Sequence, residues 1–255
     1  VDPPPVLKGR RTQMIEAEGL VRRYGRATAV DGVSLTARPG EVLGVLGPNG
    51  AGKTTTMRML AGVLEPDAGA ARICGRDMAR DRRAAQALLG YLPEGAPLFP
   101  EMTAAGYLDF LGQARGLAPS ARKAAVEKAG LRAGLEGRMG QIIDTMSKGY
   151  RRRVALAGAI LHEPPALILD EPTDGLDPLQ KRAMRSLIAE LAAKCAVVIS
   201  THILDEAEVV CTRALVIAGG RVLADDTPAG LAARSPTGRL DDAFAAICGA
   251  EGALA

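Results

Sequence analysis

The 255-residue chain reads as an α/β domain built on a mostly parallel sheet and interrupted by one helical insertion. Three observations predict this class. Short apolar runs of strand length alternate with longer stretches at helical spacing, the pattern of repeated strand–helix units. One run, residues 41–46, is almost continuously apolar, as a strand covered on both faces must be. Between residues 80 and 161 the alternation gives way to an Ala-, Arg- and Leu-rich stretch of mainly helical character.

Local signals place the elements in order. Residues 3–12 read as an extended, flexible lead-in. Residues 14–24 and 30–38 are strand-like. In the second, Val33, Leu35 and Ala37 alternate with Ser34, Thr36 and Arg38, the period of two of a sheet with one wet face. Pro39-Gly40 makes a turn into the buried strand. A glycine-rich loop then opens a helix with Met57, Leu60, Ala61 and Leu64 on one face. Gly69 and Gly75 bracket a short strand over residues 71–74. In the helical stretch, Thr103 is placed to cap a helix with Tyr107, Phe110, Leu111 and Ala114 on a shared face. Gly106 inside that helix costs about 1 kcal/mol relative to Ala. Strands follow at residues 166–169 and 196–200, around a helix at 179–194 that turns Met184, Leu187, Ile188 and Leu191 inward. Residues 215–218 and 222–224 form a hairpin about Gly219-Gly220, and residues 241–247 are a short helix candidate.

Composition narrows the function. Hydrophobic residues at 47% and charged residues at 24% suit a globular domain and exclude collagen-like, mucin-like or wholly disordered chains. A net charge of +3 is too small to make nucleic acid a default partner. Four Tyr, three Phe and no Trp leave little to stack on bases. No run approaches the roughly 20 apolar residues of a bilayer span. Cys74, Cys195, Cys211 and Cys248 lie far apart with no C-x-x-C pair, so reduced and mostly buried thiols are expected rather than a zinc site or disulfides. Residues 1–5 lack the apolar stretch of a secretory leader, which predicts a cytoplasmic chain; the opening Val suggests a processed or alternative start.

Two motifs carry chemistry. Gly47-Pro48-Asn49-Gly50-Ala51-Gly52-Lys53-Thr54 satisfies G-x-x-x-x-G-K-[ST] between a buried strand and a helix, the setting this phosphate loop requires. Its glycines let successive N–H groups curl around phosphate oxygens while the helix N-terminus adds a positive dipole end. Lys53 then reaches the β- and γ-phosphates and the Thr54 hydroxyl meets Mg²⁺, with Thr55 completing the set of nucleotide contacts. The second motif is the apolar strand 166–169 running into Asp170-Glu171. A parallel strand aimed at the phosphate loop delivers both carboxylates: Asp170 to the Mg²⁺ shell, Glu171 to the attacking water as general base. No N/T-K-x-D guanine reader is present, which excludes a GTPase.

Over about residues 15–223 these motifs, together with Thr145-Met146-Ser147-Lys148-Gly149-Tyr150, resemble an ATP-binding-cassette (ABC) ATPase subunit. The last run is similar to the family's signature loop, with Lys and Tyr where the commonest form has Gly and Gln. The resemblance implies a P-loop NTPase core with an N-terminal antiparallel β-subdomain and an inserted helical subdomain at about residues 85–161. These form one ATPase domain over residues 14–230, after a lead-in at 1–13 and before a tail at 231–255. It implies ATP hydrolysis with Mg²⁺, a homodimer or paired ATPase closed head to tail, and a separately encoded membrane permease that holds the chain at the inner face of the membrane. Ser147 and the Gly149 N–H would face the γ-phosphate bound on the other subunit. Tyr24 matches the aromatic that stacks on adenine, Asp177 the loop that communicates across the dimer, and His202 the switch histidine at the γ-phosphate. Glu94 stands where the family usually has a Mg²⁺-touching Gln. The segments around Glu94, Ser147 and Leu176 resemble the type-two exporter branch. Arg151, Arg152 and Arg153 fall in the first turn of the signature helix, where cations oppose the macrodipole by about 0.3–1 kcal/mol each. They either help that end attract an anion or form a solvated basic face. Residues 97–102 form an apolar stretch that receives a permease helix or packs on its own subdomain. The tail is a dimer contact or frays. The rival function is a non-transporting relative acting on nucleic acid or ribosomes.

Overall fold

Strands β1 (Ile15–Tyr24) and β2 (Ala27–Ala37) pair antiparallel in a long hairpin, with the alternating Val33, Leu35 and Ala37 all buried. Residues 13–252 are described by the computed structural model, so the lead-in expected over residues 1–13 lies outside them except for Gln13. Strand β3 (Val42–Leu46) is buried along its whole length and leads through the glycine loop into helix α1 (Lys53–Leu60). That helix stops short of expectation: Ala61 caps it and Leu64 lies beyond it, partly buried against the same core. Strands β4 (Ala68–Ile73) and β5 (Arg76–Asp77) complete a four-stranded antiparallel sheet in the order β2-β1-β4-β5, the subdomain that the resemblance implies.

Helix α2 (Arg82–Ala87) and strand β6 (Leu89–Leu92) come next, and β6 corrects the sequence reading, which assigned this region to the helical stretch. It pairs in parallel with β7 (Ala166–Asp170) as the edge of the second sheet. A Cβ at Gly90 would stand 2.3 Å from the Ala159 carbonyl oxygen, so glycine is what lets the signature helix lie directly on this strand. The helical insertion is therefore α3 (Ala104–Ala114), α4 (Pro119–Arg132), a 3₁₀ turn (Ile143–Thr145) and α5 (Lys148–Ile160). Thr103 caps α3 by accepting from the Gly106 N–H at 3.1 Å. The fully buried face of α3 is Ala104, Leu108 and Gly112; of the expected set, Tyr107 and Leu111 pack partly buried beside it, while Phe110 and Ala114 do not. Ala114 is exposed, and Phe110 turns aside to meet the Phe99 ring edge-on, 5.6 Å between centroids.

Strand β7 is followed by α6 (Pro178–Ala192), β8 (Ala196–Thr201), α7 (Leu204–Val210), β9 (Arg213–Ala218), β10 (Arg221–Asp226), α8 (Pro228–Ala232) and α9 (Leu240–Gly252). The second sheet runs β10-β9-β3-β8-β7-β6, parallel throughout except for the β9–β10 hairpin. Its residues alternate between two cores. Leu43, Val45, Ile168, Val198 and Leu215 face α1 and the antiparallel sheet, while Val42, Leu46, Leu169, Val197 and Val216 face the later helices. Within the described residues, α9 of the tail lies against α7, α8, β9 and β10, with Leu240 and Ala243 buried. Among the described residues no helix is long and apolar enough to cross a membrane. Among the described residues no disulfide forms; Cys195 and Cys211 are buried, and burial pushes their thiols up to about 11 and about 12.

His162, just past α5, places Nε2 2.9 Å from the Arg115 guanidinium at the end of α3. Burial, with the Arg115 charge, pushes its pKa down to about 4 from the ordinary 6.5. The folded chain thus favours the neutral ring, and this stability is complete above about pH 6.5 and lost as pH falls toward about 4. Denaturant unfolding at about pH 7.5 and about pH 5 should show His162→Gln losing less stability than wild type over that interval. Equal losses would remove His162 as the cause.

Candidate active site

The loops that carry the expected site residues leave the C-terminal ends of four adjacent parallel strands, where α/β sheets bind ligands. The registers set Leu46 beside Thr201, Asp170 beside Ser200, and Leu92 beside Leu169. The phosphate loop, Asp170-Glu171, His202 and the Pro93-Glu94 loop are therefore neighbours across the sheet edge, although they are far apart in sequence.

The phosphate loop exposes Pro48, Asn49 and Gly50 at its tip and buries Gly47 and Ala51 at its root. Gly52 has φ 99°, and a Cβ there would come within 2.3 Å of the Ala29 carbonyl oxygen. Any side chain would thus be both strained and blocked. The first bond of α1 runs from the Thr56 N–H to the Gly52 carbonyl, 2.9 Å. The N–H groups of Lys53, Thr54 and Thr55 are left without intrahelical partners, at the positive end of the helix dipole. Lys53 is only 6% exposed; its Nζ donates to the Gly47 and Pro48 carbonyls at 2.8 and 3.1 Å. One of its three hydrogens remains for a ligand. Burial lowers its pKa, and the Glu171, Asp170 and Glu94 carboxylates push it back up.

Asp170 is fully buried. Its Oδ1 accepts from Ser200 Oγ and, at 3.3 Å, from Thr54 Oγ1, while its Oδ2 is buried with no hydrogen-bond partner. Burial raises its pKa, against which the Ser200 and Thr54 hydrogen bonds hold it down. Thr54 Oγ1 also stands 3.3 Å from Glu94 Oε2. An orphaned carboxylate oxygen, a hydroxyl and a second carboxylate make an all-oxygen donor set that fits Mg²⁺ shared with a phosphate ligand.

Glu171 takes a left-handed backbone, φ 50°, a conformation that costs a side-chain-bearing residue about 1–2 kcal/mol. Its N–H donates to Ser200 Oγ at 3.0 Å and its carbonyl accepts from Arg152. Both carboxylate oxygens lie 3.0 Å from His202 Nδ1, and Oε1 lies 4.0 Å from Lys53 Nζ. Glu171 is nearly enclosed, whereas His202 keeps 46% of its side chain exposed.

Four expected residues stand apart from this cluster. The Tyr24 ring is half exposed, with the Arg22 guanidinium 5.1 Å from its centroid. Exposed Ser147 caps α5 by accepting from the Tyr150 N–H at 3.4 Å, and Asp177 caps α6 by accepting from the Gln180 N–H at 2.8 Å. Gly149 is buried against the Gln180 side chain. Among the described residues, none of the hydrogen bonds of Ser147 or Asp177 reaches the phosphate loop. Lys148, one of the departures from the commonest signature, pairs its Nζ with Asp174 at 2.9 Å.

The arginine run needs correction. Only Arg151 is exposed. Arg152 is 5% exposed and donates to backbone carbonyls, and Arg153 donates to the Gly134 carbonyl at 3.3 Å and flanks the Tyr150 ring. Residues 97–102 divide between the two expectations: Leu98 and Met102 pack on their own core, while Phe99 is 49% exposed. The sequence reading also missed Ser200, whose only signal is a hydroxyl inside an apolar strand. It missed Glu206 as well, buried on α7, where it accepts from Thr173 Oγ1 and pairs with Lys181 Nζ at 3.0 Å.

A family model described as ABC transporter matches residues 30–174. The chain is 40% identical over 220 residues to Nod factor export ATP-binding protein I of Paraburkholderia xenovorans (strain LB400), covering 86% of this chain and 72% of that protein. It is 36% identical over 223 residues to the probable multidrug ABC transporter ATP-binding protein YbhF of Escherichia coli (strain K12), covering 87% of this chain and 38% of that one. A solved structure of the ATP binding subunit of an ABC transporter matches with a TM-score of 0.82 and 31% identity, covering 92% of this chain and 99% of that chain.

Proposed function

Since the chain belongs to the ABC transporter family of ATP-binding, ATP-hydrolysing subunits, we propose that it drives an exporter by pulling on a separate membrane permease. Two copies close head to tail over two ATP molecules, and hydrolysis reopens them. The relatives that carry export and multidrug transport in their names support the exporter direction. The exposed Ser147 at the N-terminus of α5 supports the paired arrangement, since within its own chain it only caps a helix. Together with the Gly149 N–H, Ser147 receives the γ-phosphate held by the partner copy; Asp177 sits at the same face, and Tyr24 stacks on adenine.

The observation that carries the catalytic reading is the enclosed Glu171 carboxylate, 3.0 Å from His202 Nδ1, beside Lys53 and the phosphate loop. Glu171 draws the proton from an attacking water as general base. A neutral His202 ring has one proton, which it can give either to Glu171 or to a phosphate oxygen. Lys53 and the N–H groups of residues 53–55 hold the phosphates, so positioning and charge neutralisation do most of the work. Bound Mg²⁺ supplies further neutralisation, and Asp170, Thr54 and Glu94 are the residues that hold it.

Glu94 has no amide donors and adds a negative charge beside the triphosphate. ATP without metal should bind more weakly to wild type than to Glu94→Gln, and wild-type affinity should rise more steeply with Mg²⁺. Coincident titration curves would defeat this assignment. The whole reading is tested by purifying the tagged chain from native membranes in mild detergent and identifying what comes with it. An integral membrane protein in near-equal amount supports it. Ribosomal or nucleic-acid partners alone would mean that the ATPase drives a different machine.

A further inference from the structure

The Arg152 side chain is buried in the middle of the machinery, and among the described residues no carboxylate is within ion-pair distance of it. Four backbone carbonyls surround it instead. Nε donates to Pro172 at 3.4 Å, one terminal nitrogen to Pro93 at 3.3 Å, and the other to both Asp170 and Glu171. These carbonyls belong to two loops: the turn that carries the two active-site carboxylates, and the loop that carries Glu94. Arg152 itself sits on α5, five residues after Ser147.

We propose that Arg152 is a positioning residue that fixes the left-handed turn at Glu171 and ties it to the orientation of the signature helix and of the Glu94 loop. The argument rests on geometry. Glu171 holds an unfavourable backbone conformation, and such a conformation persists only where its surroundings over-determine it. Ser200 fixes the N–H side of that residue and Arg152 fixes the carbonyl side. A planar fork with five donors can hold four carbonyls at once, whereas an ammonium is a single point of three donors. A rotation of α5 when Ser147 engages phosphate on the partner copy would move the fork, and with it the peptide behind the carboxylate. Closure would then be felt at the base through the backbone, without contact between Arg152 and the nucleotide.

This inference depends on Glu171 being the general base, and the test separates the two. Arg152→Met, Arg152→Gln and Arg152→Lys are made in the full chain, alone and with Glu171→Gln. Steady-state kcat and KM are measured with MgATP, and affinity with a fluorescent ATP analogue. Arg152→Met should lower kcat on the order of 10²-fold while KM and affinity stay within about threefold, with Arg152→Lys recovering part of the loss. On the Glu171→Gln background the same changes should lower the residual rate by less than about threefold, because the group being positioned is already gone. Normal turnover in Arg152→Met, or a loss that multiplies fully with that of Glu171→Gln, would overturn the inference. If Arg152→Met does not fold, Arg152→Gln and Arg152→Lys are read against the same two criteria. Wild-type turnover in Glu171→Gln alone would instead overturn the base assignment, and the positioning role with it.

Discussion

Glu171→Gln should bind MgATP and pair on it while hydrolysing it on the order of 10²–10⁴-fold more slowly than wild type. The substitution keeps the shape of a nearly enclosed side chain and its carbonyl oxygen can still accept from His202, so the site retains its packing. The turn that carries it is held from outside, by Ser200 and Arg152, neither of which the change touches. What disappears is the capacity to accept a proton from water at neutral pH. Single-turnover hydrolysis reads the chemical step, and size measurement with and without MgATP reads the pairing. Near-wild-type hydrolysis would exclude Glu171 as base, and a mutant that stays monomeric in MgATP at high concentration would count against closure over nucleotide.

Lys53→Met should fail earlier in the cycle, at binding. Lys53 is buried with its ammonium clamped by the Gly47 and Pro48 carbonyls, and the Glu171, Asp170 and Glu94 carboxylates all act on it electrostatically. Removing it costs the charged hydrogen bond that its remaining hydrogen makes to a phosphate, about 1.5–3 kcal/mol. It also leaves the three carboxylates facing a triphosphate without that cation. MgATP affinity should fall roughly 10²–10³-fold. Titration calorimetry decides it, and an unchanged dissociation constant would mean that Lys53 serves only to brace its own loop.

The parts of this molecule that were legible in the sequence are those whose signal is local. Residues 42–46, 166–169 and 196–199 are short runs without a charged or hydroxyl residue, and such runs have few other places to go in a folded domain. The phosphate loop carries its own geometry in its glycines. What escaped depends on partners distant in the chain. Strand β6 has four residues, and what makes it a strand is pairing with β7, so Leu89 meets Ala166 only after the whole helical insertion has been traversed. Arg151, Arg152 and Arg153 look alike in sequence, yet successive residues on a helix point about 100° apart. One of the three therefore had to face inward, and only the packed α5 shows which. The face of α3 was misjudged for a similar reason, because Phe110 found an aromatic neighbour outside the core. Ser200 gave only a hydroxyl in an apolar strand and Glu206 no pattern, since a single polar residue acquires its meaning from what lies across the strand or helix from it.

The position of β3 in the middle of its sheet also bears on how the chain is made. Both of its neighbours come from the far end of the sequence, β8 pairing Val42 with Val197 and β9 pairing Leu43 with Arg213. The β1–β2 hairpin can form as soon as it leaves the ribosome, because its partners are adjacent. Strand β3 cannot: at about 5–20 residues per second, the ribosome needs on the order of ten seconds or more to deliver its partners. Through that interval an apolar strand lies with both edges open, the condition under which nascent chains aggregate. The antiparallel sheet, ready early and sharing a core with Leu43 and Val45, is the available cover for one face of that strand during synthesis. The nucleotide site, built across the same strand ends, is then completed only when the last third of the protein has arrived.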